Sequence, residues 1–130
     1  MDDLLTDFLA AVSFPPDYER VRKLFIPGGL LVRMGVPTTV EAFIDARHAA
    51  YAEGAMTEFE ETELRGETMR FGKVAHRTSG YAKRGVLDGE AFSTRGVIST
   101  QFVLTDDGWR ISSMAWDDEH EGLEVPEGLR

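Results

Sequence analysis

The chain has 130 residues, of which 42% are hydrophobic and 28% charged, enough apolar material for one core and too little length for two domains of ordinary size. Its formal net charge of −9 argues against nucleic acid or an anionic membrane surface as a partner, and no basic run offsets it, since a pairing such as Lys83-Arg84 is only two residues long. The absence of cysteine removes disulfides, thiolate nucleophiles and thiolate metal sites together.

At the N-terminus, Met1-Asp2-Asp3-Leu4-Leu5 carries acids where a signal peptide needs positive charge, and no apolar run approaches the roughly 18 residues of a membrane span. A cytoplasmic location is the expectation. From Asp2 or Asp3, Leu4, Leu5, Phe8, Leu9 and Val12 recur at helical spacing and predict a first amphipathic helix. Phe14-Pro15-Pro16 breaks it, and Asp17 is placed to cap a second short helix running through Phe25 and ended by Pro27-Gly28-Gly29. Leu30-Leu31-Val32-Arg33 reads as a brief strand, after which Gly35-Val36-Pro37 turns the chain. Thr38 and Glu41 have capping-box spacing for a third helix. Its stripe is Val40, Phe43, Ile44, His48 and Tyr51, with Arg47 beside it, and Gly54 terminates it.

Beyond Met56 the residues alternate and are rich in β-branched and aromatic types, predicting four strands at 57–68, 72–83, 92–105 and 109–118. Leu87-Asp88-Gly89 and Asp106-Asp107-Gly108 are hairpin signals, so the expected sheet is antiparallel. Phe92, Thr94, Ile98, Thr100, Phe102 and Leu104 share one face of the third of these strands. Alternation in the last strand places Trp109, Ile111, Ser113, Ala115 and Asp117 on the side towards the core. Met114 and Trp116 then fall on the opposite side, where a second copy of the chain would cover them. The acidic tail, 119–130, is expected to lie extended along the surface of a single domain spanning 1–130.

Helices followed by a long hairpin sheet ending in Thr105-Asp106-Asp107-Gly108-Trp109-Arg110-Ile111, together with Phe71-Gly72-Lys73-Val74-Ala75-His76, resemble the nuclear-transport-factor-2-like superfamily. That group includes ketosteroid isomerases and SnoaL-type polyketide cyclases, and the chain is similar to its functionally unassigned branch over nearly its whole length. The resemblance implies an α+β fold in which a cone-shaped curved antiparallel sheet wraps about three N-terminal helices. It further implies a pocket between the helices and the concave sheet face, and a homodimer formed through the sheets. The group's named enzymes move a proton with a carboxylate base while a tyrosine or a protonated acid stabilises an oxyanion. Their donor tyrosine has no counterpart in the first helix, which offers Phe8.

Among groups able to carry chemistry, Asp117 at the end of the last strand is the candidate base, and His48 on the third helix is a candidate acid–base group near neutral pH. Tyr51, His76, Arg77, Tyr81 and Trp109 are candidate ligand-binding residues. Glu61 and Glu63 share a face of the first long strand, and Arg77, Ser79 and Tyr81 share one on the next. The turn register decides which set faces inward, and a cross-strand ion pair between Arg77 and one of the glutamates competes with a charged pocket wall. His48, His76 and His120 lie far apart without metal-ligand spacing, so neither metal nor cofactor is expected. Nucleotide-binding glycine loops and the Gly-x-Ser-x-Gly elbow are missing. The leading expectation is a homodimeric domain binding a small, partly hydrophobic organic ligand. The alternatives are a cofactor-free proton-transfer enzyme of isomerase or cyclase type using Asp117 or His48, and a purely structural dimer module.

Overall fold

The computed structural model describes residues 3–130; Asp2, one of the two expected helix starts, lies outside the described residues. Helix α1 (Asp3–Val12) buries Leu5, Phe8, Leu9 and Val12 of the stripe read from its spacing, with Ala11 added, while Leu4 is only half-buried. The Asp17 carboxylate accepts from the Arg20 amide at 3.1 Å and caps α2 (Tyr18–Leu24). At the start of α3 (Val40–Ala52) the cap is Thr39, whose hydroxyl accepts from the Ala42 amide at 3.1 Å. The expected Thr38–Glu41 box is displaced by one residue, because Glu41 is drawn to the Arg22 guanidinium at 2.7 and 3.2 Å.

Six strands form one open sheet: β1 (Phe25–Arg33), β2 (Val36–Thr39), β3 (Met56–Phe71), β4 (Val74–Leu87), β5 (Glu90–Thr105) and β6 (Gly108–Asp118). Their order is β2-β1-β6-β5-β4-β3. Asp88 and Gly89, with φ of 51° and 79°, make the two-residue turn that joins β4 to β5. Met34 and Gly35, at 48° and 83°, do the same between β1 and β2. Pro37 sits in the edge strand β2, where its missing amide costs no ladder bond. All three helices lie on one face of the curved sheet, giving the α+β class expected.

The structure corrects three expectations about the sheet. First, α2 ends at Leu24 and Phe25 already begins β1, which runs on through Pro27-Gly28-Gly29 with an irregularity in its pairing before Leu30. Gly28, at φ of 79°, absorbs the bend that would otherwise end the strand. Secondly, the sheet is mixed, because β1 pairs parallel with β6, bringing Leu31 beside Met114, both buried to 1% exposure or less. Thirdly, β6 carries a bulge at Ser112: Gln101 pairs with Ser113, whereas Phe102 pairs with Ile111. One extra residue reverses the alternation beyond it. Ile111, Met114 and Trp116 consequently all face the helices, with Trp116 meeting the Phe43 ring edge-on at 6.3 Å, and Asp117 is turned outward and exposed. The apolar pair taken as a reason for a covering second copy belongs to the core of its own chain.

The tail folds back across the outer face of the sheet. Glu119 accepts from the Val125 amide at 2.8 Å and pairs with Arg95 at 3.2 Å. Val125 is 2% exposed, and the short 3₁₀ turn Glu127–Leu129 lays the Leu129 carbonyl against Gly80, where a β-carbon would collide with it.

Candidate functional site

Helix α3 and the ends of β3, β4 and β5 meet over a polar recess. Ile44, Arg47 and Tyr51 follow one another at i, i+3 and i+7, so the register that buries Ile44 turns Arg47 and Tyr51 towards the sheet as well. The Arg47 guanidinium lies 4.5 Å from the centre of the Phe59 ring and 5.0 Å from that of Phe43. Its Nη1 is buried with no hydrogen-bond partner among the described residues, and the side chain forms no ion pair there. Two aromatic faces partly compensate a cation withdrawn from water, by about 2 kcal/mol when desolvated. They do not replace an anion.

The Tyr18 hydroxyl, from the first turn of α2, and the Tyr51 hydroxyl, from the last turn of α3, are likewise buried without partners among the described residues. Burial raises both phenols above their ordinary value, against the opposing pull of Arg47, so both remain hydrogen-bond donors at neutral pH. Across from them on β3, Glu61 is 9% exposed. Burial pushes its carboxyl up to about 6, with Lys83 and Arg47 pulling it down and Asp118 adding to the rise. For Arg47 the same burial disfavours the charged form, and Glu61 opposes that.

A cavity of about 180 Å3 opens here, lined by Arg47, Phe59, Lys83, Phe92, Thr94 and Asp118 among others. It shares Arg33, Arg47, Met56 and Leu87 with a wider bowl of about 670 Å3 between α3 and the β1–β2 hairpin. Lys83 and Asp118 neutralise each other at 2.8 Å on its floor. A second groove of about 570 Å3 lies on the outer face, walled by Val32, Val97, Ala115 and the tail residues Leu123 and Val125. It holds none of the buried, unpartnered polar groups that mark the recess.

Of the residues singled out from the sequence, Tyr51 comes nearest the recess, close enough to Arg47 to feel its charge but not lining the cavity itself. His48 is exposed on α3, its ring edge-on to Tyr18 at 6.0 Å, because the helix turns it to the solvent side of the Arg47 stripe. Asp117 faces outward beyond the Ser112 bulge. Arg77 faces inward on β4 but is held bidentately by Glu63 at 2.8 Å, with Thr68 at 2.7 Å and Ser79 completing the cluster, which realises the ion pair weighed against a charged pocket wall. The Arg77 hydrogen bond, against the opposing effect of burial and with help from Ser79, holds the Glu63 carboxyl below the usual carboxylate range. His76 points to the other face. Tyr81 is fully buried, its hydroxyl donating to the Asp118 carboxylate and to the Asp117 carbonyl at 3.0 Å. Trp109 stands at the far end of the sheet under the Arg70 guanidinium, 4.9 Å from its ring. Sequence reasoning missed Tyr18, Arg47 and Glu61 as members of one site. The available signal was the i, i+3, i+7 register that puts a cation inside an otherwise apolar stripe. Among the described residues no three His, Asp or Glu side chains converge to hold a metal ion, and no helix is long and apolar enough to cross a membrane.

No family model matches the chain, and no curated protein does. Solved structures do. A nuclear-transport-factor-2-like superfamily protein from Salmonella enterica superposes with a TM-score of 0.79 at 14% identity, covering 97% of this chain and 92% of its own. The crystal structure of LinA superposes at 0.80 with 13% identity, covering 96% and 90%. A protein from Shewanella frigidimarina, named as a candidate ketosteroid isomerase, gives 0.70 at 18% identity, covering 88% and 91%. Identities this low establish architecture alone. The chain adopts the nuclear-transport-factor-2-like fold, a class defined by helices seated on one face of a strongly curved sheet.

Proposed function

We propose that the chain is a small-molecule-binding domain whose ligand occupies the recess beneath α3. The observation that carries this reading is a trio of buried polar atoms that lack partners among the described residues: Arg47 Nη1, whose side chain lines the cavity, and Tyr18 Oη and Tyr51 Oη, which feel the Arg47 charge. Buried donors are ordinarily satisfied, and leaving one unmade costs about 1–3 kcal/mol, so a set of three in one place is the pattern of a site built for an acceptor. In native mass spectrometry of the protein from its own host, a retained organic molecule is the expected result. A chain that carries nothing, with α3 and β3 amide signals unmoved by any member of a small-ligand library, overturns the reading.

A second reading, proton transfer of isomerase or cyclase type, draws on Glu61. Sequence pointed to Asp117 or His48 for the base, and both are exposed outside the recess; Glu61 is the buried carboxylate beside it, and its pKa of about 6 suits a base working near neutral pH. Likeness to the Shewanella protein's named role favours the same chemistry. Turnover abolished by Glu61→Gln with binding retained is the result this reading requires. For the assembly, we propose a homodimer through the outer sheet face, supported by the apolar groove of Val32, Val97, Ala115 and Leu123, and a cytoplasmic location.

A further inference from the structure

The recess has an unbalanced charge. Arg47, Lys83, Asp118 and Arg33 line it, and Glu61 from β3, Tyr51 from α3 and Tyr18 from α2 lie close enough to act on the Arg47 charge. Lys83 and Asp118 are paired at 2.8 Å. Glu61 acts on Arg47 through the field only, making no hydrogen bond or ion pair with it, and neither tyrosine hydroxyl accepts from Arg47 Nη1. A buried guanidinium is normally met by a carboxylate in a bidentate fork, as Arg77 is by Glu63 in this chain. Arg47 is built into the core without one.

We propose that the recess binds a small organic monocarboxylate, its anionic head held by Arg47 and by the hydroxyls of Tyr18 and Tyr51. This rests on the ligand-binding reading above and narrows it to a charge class. The head would take the place that no protein anion fills, and Phe59 and Phe92, in contact with each other at 6.4 Å between ring centres, would form one apolar wall for the body. The cavity of about 180 Å3 suits a single ring or a short branched chain, and the adjoining bowl of about 670 Å3 leaves room for a larger body. Glu61, the one unpaired acid facing the same cation, opposes the anion in its ionised form and tolerates it when protonated.

The test compares benzoate with benzamide, which share shape and differ in charge, by titration of two-dimensional NMR spectra that include the Arg47 side chain. Benzoate is expected to bind with shifts on α3 and β3, at least tenfold tighter than benzamide. Tyr51→Phe and Tyr18→Phe are expected to weaken benzoate about threefold or more each with benzamide unaffected. Arg47→Gln should abolish the preference for the anion. Because that variant removes a buried group, Glu61→Gln provides an independent arm: by deleting the opposing charge it should tighten benzoate at pH 7.5. Equal affinity for the two probes overturns the carboxylate proposal and leaves the pocket reading intact. Failure of either probe to bind at millimolar concentration overturns it too, with the native mass experiment judging the pocket separately.

Discussion

Arg47 and Glu61 are each disfavoured by the place they occupy, and they respond to pH in ways that can be separated. The Glu61 carboxyl is raised from 4.5 to about 6 by burial, so the folded chain holds a proton that the unfolded chain releases between those values. Its contribution to stability is complete below about pH 4.5 and is lost as pH rises through about 6. Glu63 and Glu119 are shifted down and act in the opposite sense at lower pH, which makes the difference between variant and wild type the informative quantity. On moving from about pH 4 to about pH 7.5, Glu61→Gln should gain about 2 kcal/mol relative to wild type, read from urea midpoints at the two values. An unchanged difference would show that the carboxyl is not buried in solution. The sequence showed Tyr51 on an inward stripe but set Arg47 beside it, because a charged residue is expected outside. Glu61 was weighed with Glu63 as a partner for Arg77 or as part of a charged pocket wall; the ion pair falls to Glu63.

The long hairpins were legible because Asp-Gly turns demand positive φ and fix register. Less legible was β1, since Pro27-Gly28-Gly29 reads as an end and only the partnership with β6 makes it a strand. Least legible was the Ser112 bulge, a single residue that nothing in local composition announces, yet it decides which way Met114, Trp116 and Asp117 point. Deletion variants make that testable. Removing Ser112 leaves Ile111, Met114 and Trp116 in plain alternation on the inner face, so the variant is expected to fold with reduced stability. Removing Ala115 instead turns Trp116 outward and is expected to prevent folding. Circular dichroism and tryptophan emission distinguish the two, and equal damage from both deletions would contradict the assigned bulge.

For the molecule as a whole, the tail and the outer sheet face act together. Val125 and the Leu129 turn cover part of a face that also bears Val97 and Ala115, so the surface left for a second copy depends on the tail staying in place. Light scattering at micromolar concentration is expected to give a dimer mass; a monomer would refute the proposed interface. A chain ending at Asp118 should melt lower and associate beyond the dimer, as the bared apolar strip finds other copies.

The parallel pairing of β1 with β6 has a consequence in time. On the ribosome, residues 25–33 emerge well before their neighbour on one side, residues 108–118. Until then Leu31 has no Met114 to rest against, and the growing polypeptide holds helices and hairpins that cannot yet share a core. Maturation of this protein is therefore a closing event, confined to the moments after synthesis of its final strand, and a nascent chain stalled before residue 108 is expected to remain open to proteases along β1.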